Sequence, residues 1–239
     1  MLTALLVLLT ACGSSARVPE KPERFRVLVF TKTTGYRHAS IPDGVKAIQR
    51  LGSRHRFSVD TTADAAAFTS RRLARYDAVV FLSTTGTPIA RRAQQRAFQR
   101  YIRKGGGYVG IHAASDTRGR WPWYERLAGA RFERHDPGIS RRTVTVEDRG
   151  TAATRRLPAA WTRSDEWYEF RSNPRGRAHV LASLGAERPL AWCHRFAGGR
   201  SIYTAMGHTE ASFSEPRYLS HLLGAIEMAA GHARFACAV

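Results

Sequence analysis

The stretch Gly105-Gly106-Gly107-Tyr108-Val109-Gly110-Ile111-His112-Ala113-Ala114 constrains the fold of this chain more than any other. Three glycines break the segment before it, a short apolar run follows, and a histidine stands where that run gives way to small helix-forming residues. The pattern is a strand turning sharply into a helix. Such an elbow presents one side chain at the rim of a parallel sheet, beside backbone N–H groups. Further along, Arg200-Ser201-Ile202-Tyr203-Thr204-Ala205 reads as a second strand and ends in Met206-Gly207-His208-Thr209-Glu210. A His-x-Glu after a strand is the layout of a base with its orienting carboxylate. With imidazole at the apex, Ser and Cys triads are excluded.

Around the elbow, apolar runs of strand length alternate with amphipathic segments, the signature of βαβ units. Residues 26–30, 57–60 and 78–82 read as strands, and the continuity of 78–82 implies cover on both faces. Residues 42–51 form a predicted helix stopped by Gly52, and 90–104 a longer one. The strands 26–30, 78–82 and 107–111 are expected side by side and parallel. After the elbow, 142–146 alternates with period two and suits an antiparallel addition. Residues 180–184, 189–193 and 201–204 supply further strands, and 216–230 a closing helix. The fold class is α/β, a flavodoxin-like three-layer sandwich around a mostly parallel sheet, with an irregular insertion between about residues 115 and 178.

A chain of 239 residues suffices for one such domain, expected over 24–231 with a tail at 232–239. Residues 1–12 are nearly all apolar up to Leu9-Thr10-Ala11-Cys12, too short for a spanning helix. The small-residue run before a Cys resembles a lipoprotein lipobox with Cys12 as the lipidation site, although the positive n-region is missing. Residues 13–23 are a small, polar tether behind it. An oxidising compartment permits Cys193 and Cys237 to pair, but Cys193 lies in an apolar run and reads as a buried thiol. The formal charge of +19 invites a nucleic-acid reading. Only Lys21, Lys32, Lys46 and Lys104 are lysines, however, and the arginines are scattered along the chain without a basic–aromatic motif. Specific nucleic-acid binding is therefore not expected, whereas attraction to anionic envelope surfaces is compatible with the charge.

Ligands bind doubly wound sheets outside the carboxyl ends of the strands. The strand ends place Thr31 to His38, Ser83 to Gly86, His112 with Ser115 and Asp116, and His208 with Glu210 at that edge. Four segments carry a resemblance: Val29 to Ile41, Gly107 to Thr117, Asp165-Glu166-Trp167-Tyr168 and Gly198 to Thr209. Together they resemble the ThuA-like (trehalose utilisation) family over about residues 25–231. The resemblance implies a fold related to class I glutamine amidotransferases and a role in bacterial carbohydrate catabolism. Amidotransferases carry Cys at the elbow and His-Pro-Glu after the later strand; here His112 and His208-Thr209-Glu210 stand there, so a Cys-dependent amidotransferase is excluded. Relatives commonly have His-Pro where this chain has Arg188-Pro189.

The expected catalytic groups are His112, His208, Glu210 as the orienting carboxylate, and Glu166. His38, Tyr36, Asp116, Asp165, Trp167 and Trp192 are the expected substrate-binding residues, Trp167 beside the carboxylate pair as a sugar-stacking platform. His135, on the insertion, is placed to close over the pocket. His55, His179, His194, His221 and His232 read as structural. Imidazoles that titrate near ambient pH suit enolisation, isomerisation or elimination next to a carbonyl. The first reading is therefore an extracytoplasmic, lipid-anchored enzyme (secreted if the lipobox is not used) acting on a sugar or keto-sugar as isomerase, lyase or hydrolase, with no cofactor assigned. A zinc-type divalent metal held by His38, His112 and His208 with Asp165 or Glu166 is the second, although no HExxH spacing accompanies it. A non-catalytic sugar-binding lipoprotein is the third.

Overall fold

The computed structural model describes residues 25–117 and 121–237. The apolar segment, Cys12 and the tether lie outside the described residues. The chain runs through β1 (Phe25–Phe30), α1 (Ile41–His55), β2 (Phe57–Thr62), the single turn α2 (Ser70–Leu73), β3 (Ala78–Leu82), α3 (Arg92–Arg103) and β4 (Gly107–Ile111). It continues with α4 (Pro122–Ala128), β5 (Phe132–His135), β6 (Ser140–Val146), β7 (Ala160–Asp165), β8 (Tyr168–Phe170), β9 (His179–Leu184), β10 (Arg188–Phe196), β11 (Gly199–Thr204) and α5 (Pro216–Ala230).

Nine strands form one sheet in the order β2-β1-β3-β4-β11-β10-β9-β6-β7, and β5 pairs with β8 in a separate ribbon. β2, β1, β3, β4 and β11 are parallel, with Leu28 opposite Val79 and Val80 opposite Val109. Every pairing beyond β11 is antiparallel. Four reversals separate β11 from β7, so β7 points the same way as the parallel strands. Its end, Asp165, therefore arrives at the carboxyl edge.

Alternation along β3 shows the layers. The Phe81 ring meets Phe98 of α3 and Tyr124 of α4, whereas Leu82 faces Gly44 of α1. Successive strand residues point to opposite faces, so helices cover both sides of the sheet. β3 and β4 between them are buried throughout, and the apolar residues of the parallel strands form the core. Among the described residues no helix is long and apolar enough to cross a membrane.

Four local expectations are corrected. α1 runs past Gly52 to His55 and ends on Arg56 in the left-handed region, φ 61°. Gly52 serves close packing instead, since a Cβ there would lie 2.6 Å from the Phe57 carbonyl oxygen. The element after the elbow is a 3₁₀ turn, His112–Asp116, rather than an α-helix. The insertion is regular: β6 and β7 form a hairpin that extends the main sheet, and β5–β8 folds beside it. Cys193 is no free thiol, because it is disulfide-bonded to Cys237, 44 residues away, and ties the tail to β10.

Candidate functional site

The elbow residue His112 has φ 50°, a conformation costly for a side chain with a Cβ. Neighbouring groups hold it there. The Tyr203 hydroxyl of β11 donates to the His112 carbonyl at 2.6 Å and contacts the Ser115 hydroxyl at 2.8 Å. His112 is fully buried, contrary to the exposed apex expected of an elbow. Its Nδ1 lies 2.7 Å from the Ala205 carbonyl oxygen. A carbonyl can only accept, so Nδ1 carries the proton and the Nε2 lone pair points inward.

Three groups meet that lone pair. His208 Nδ1 lies 3.1 Å away, Glu166 Oε2 3.4 Å, and the Tyr168 hydroxyl donates at 3.0 Å. Glu166 Oε2 is also 3.2 Å from His208 Nδ1. His38, on the loop after β1, packs edge-on against His112 and His208, ring centroids 4.7 and 5.0 Å apart. Ligand atoms of His38, His112, Glu166 and His208 all lie within 4.8 Å of one another. The buried Nδ1 of His38 has no hydrogen-bond partner.

Burial, reinforced by the imidazoles of His112 and His208, pushes the His38 pKa from 6.5 to about 3. Its ring is thus neutral at ordinary pH. Burial opposes ionisation of Glu166, but the imidazoles of His112 and His208 beside it outweigh burial and hold the carboxyl well below the usual range. The hydrogen bond to Glu166 raises the pKa of His208. Burial raises that of the Tyr168 hydroxyl, which stays protonated.

Asp165 organises this centre from beneath rather than binding substrate. It is fully buried and accepts from the backbone N–H groups of Glu166, Gly207 and His208 at 2.9, 2.9 and 3.0 Å. Gly207 adopts φ 113°, which a side chain would resist. Arg163 pairs with Asp165 at 3.1 Å and with Glu215 at 3.3 Å. Its guanidinium lies between the rings of Trp161 and Tyr218.

The remaining expected residues divide. Tyr36 is 67% exposed and stands edge-on to His38 at the mouth of the centre. His135 is on the open flank, its Nδ1 3.4 Å from Glu166 Oε1. Asp116 ends the elbow turn, half-buried, and its carbonyl accepts from Gly86 N–H at 3.2 Å. Glu210 is exposed and does not orient His208; Glu166 makes that contact, and Glu210 acts on His208 only through its charge. Trp167 and Trp192 are fully buried. Their indole N–H groups donate to Ser140 and Ala128 carbonyls, so neither offers a face to a sugar. His194 and His221 bond backbone carbonyls in the core, and His179 pairs with Asp148.

Sequence reasoning missed Tyr168, Tyr203 and Arg163. Alternation could have found the first: with Glu166 turned to the site, Tyr168 follows on the same side and Trp167 on the other. Arg188, where relatives carry His, pairs with Asp136 and Glu169 and donates to the Trp167 carbonyl. It braces the β5–β8 ribbon.

A flavodoxin-like sheet whose elbow presents histidine to a second histidine and a carboxylate defines a glutamine-amidotransferase-like scaffold without its cysteine nucleophile. The chain belongs to the ThuA family, described as trehalose utilisation, which it matches over residues 26–229. It is similar to a ThuA-like protein from Bacteroides uniformis, with 25% identity, TM-score 0.73, and 90% of this chain and 94% of that one covered. A ThuA-like protein from Parabacteroides merdae has 21% identity, TM-score 0.70 and coverages of 89% and 91%. A beta-galactosidase from Bacillus circulans shares the fold over 86% of this chain and 31% of its own, with 15% identity and TM-score 0.56. Among curated proteins none matches.

Proposed function

We propose that this ThuA-family chain is a divalent-metal-dependent enzyme of the cell envelope acting on a sugar or keto-sugar. One observation carries the metal. His112 Nε2, His208 Nδ1 and Glu166 Oε2 form a triangle with edges of 3.1, 3.2 and 3.4 Å. Ligands about 2.0–2.1 Å from a tetrahedral zinc-type ion stand roughly 3.3 Å apart, the size of that triangle. Imidazole and carboxylate suit such an ion. The Ala205 carbonyl fixes the His112 tautomer as an outer partner should. His38, whose ligand atom lies within 4.8 Å of the other three, is the fourth candidate at this centre.

An ion there supplies Lewis-acid polarisation of a substrate carbonyl or hydroxyl. The protein does the rest. Tyr168 holds a protonated hydroxyl beside the centre, His135 offers an imidazole on its open flank, and Tyr36 gives a face against which a sugar ring can lie. The carbohydrate class is supported by the family's description. The envelope location is supported by the Cys193–Cys237 disulfide, which persists in oxidising compartments, and by the lipobox-like Leu9-Thr10-Ala11-Cys12.

A metal-free reading keeps support from the hydrogen bond between His208 and Glu166, which could exchange a proton with substrate directly. Elemental analysis of purified full-length protein, with a turnover screen on sugars and 3-keto-sugars before and after dipicolinate treatment, separates the readings. Near-stoichiometric metal, with activity lost on chelation and restored by Zn²⁺ or Mn²⁺, is expected. Turnover by metal-free protein would establish the acid–base alternative, and sugar binding without turnover the non-catalytic one.

A further inference from the structure

Some of the arginines scattered in sequence meet at one edge of the sheet. In the parallel half every helix returns from the carboxyl edge to the amino edge, so α1, α3 and α5 all end at the amino edge, opposite the histidine cluster. Arg56 lies just past α1, and Arg103 and Lys104 close α3; all three are exposed. Between the ends of α1 and α5 opens a cavity of about 440 Å³, lined by Arg155, Arg156 and Arg234 with His55, His232 and Glu227. Among the described residues none of these six cations is hydrogen-bonded to or paired with a carboxylate. Helix dipoles favour a basic residue in a last turn, which accounts for Arg103 and leaves the loop residues Arg155, Arg156 and Arg234 without that reason.

The chain also enters the fold here. Phe25, the first residue of β1, stacks on Phe57 and His232 at this edge. The twelve residues 13–24 separate it from Cys12. Fully extended they reach roughly 40 Å, so a membrane anchor at Cys12 would attach the domain through this face.

We infer that the amino edge is a docking surface for anionic phospholipid headgroups, seated first on Arg155, Arg156 and Arg234. Unpaired cations near an anionic surface each strengthen binding about fivefold, an effect that fades with salt. The carboxyl edge then faces away from the membrane with its centre open to soluble substrate. This orientation rests on the envelope location proposed above and is independent of the chemistry proposed with it.

The test uses the full chain carrying Cys12→Ser, so that no acyl chain contributes, in co-sedimentation with vesicles of phosphatidylcholine alone or with 30% phosphatidylglycerol. Binding is expected only to the anionic vesicles, and it should weaken at least tenfold between 50 and 300 mM NaCl. The triple variant R155E/R156E/R234E should lose at least tenfold more, and R156E alone about fivefold. The triple variant R91E/R92E/R217E changes the net charge equally at the carboxyl edge and should bind within twofold of the parent. Equal loss in both triple variants would overturn the inference by showing that total charge governs binding. Equal binding to neutral vesicles would also overturn it, as would tighter binding to a DNA duplex than to anionic vesicles at the same salt.

Discussion

The parallel and antiparallel halves of the sheet meet at one centre but bring it different things. The parallel half supplies the imidazoles: His38 after β1, His112 after β4 and His208 after β11. The antiparallel half supplies the carboxylates and the hydroxyl, because the hairpin β6–β7 delivers Asp165, Glu166 and Tyr168 to the same edge. A doubly wound sheet alone would present three histidines facing one another with no counter-charge. The addition changes them into a mixed nitrogen and oxygen set.

If the two halves form one working centre, removing a group from either should cost the same. His112→Ala and Glu166→Gln are each expected to lower kcat/KM by on the order of 10³-fold and to lower metal content together. Unequal losses, with Glu166→Gln retaining metal and most turnover, would confine the chemistry to the parallel half. Thermal unfolding separates this from misfolding.

The next largest effect lies at the joint between the halves. Asp165→Asn keeps the shape but leaves Arg163 facing a neutral amide in a buried setting, with Trp161 and Tyr218 on either side. Breaking such a pair costs about 3–5 kcal/mol, read as a lower denaturant midpoint. Because Asp165 also holds the N–H groups of Gly207 and His208, turnover should fall as well. An unfolding midpoint close to the parent's would show that the antiparallel half is docked by other contacts.

The halves also differ in how far they can be read from sequence. β1, β3 and β4 are continuous apolar runs because both faces are covered, and strand ends of a doubly wound sheet point to His38, His112 and His208. β7 is harder to see. Its inward positions are Trp161, Arg163 and Asp165, so the alternation is present in burial but not in hydrophobicity. Trp167 attracts a sugar-stacking reading through its neighbours, yet alternation turns it into the core. Glu210 attracts one through its spacing to His208, whereas the partner comes from Glu166, far away in sequence and invisible to any local motif.

A smaller effect concerns the far side of the antiparallel half. The Cys193–Cys237 bond closes a long loop from β10 to the tail, remote from the histidine cluster. Cys237→Ser should lower stability by about 2–4 kcal/mol, and dithiothreitol should do the same to the parent, with kcat and KM unchanged. A change in turnover would mean that tail and centre are coupled across the sheet.

The smallest expected effect decides which half orients His208. The spacing His208-Thr209-Glu210 lies wholly within the parallel half and resembles a base with its own carboxylate, but Glu210 is exposed on the turn after Thr209. Glu166 instead lies 3.2 Å from His208 Nδ1, and Asp165 fixes the backbone at His208. Glu210 is left with a distant charge, screened by solvent. Glu210→Gln should therefore change kcat/KM by less than about twofold, an effect that shrinks further in 0.5 M NaCl, with metal content intact. A loss as large as that of Glu166→Gln would return the orienting role to the parallel half and reduce the hairpin to a cover.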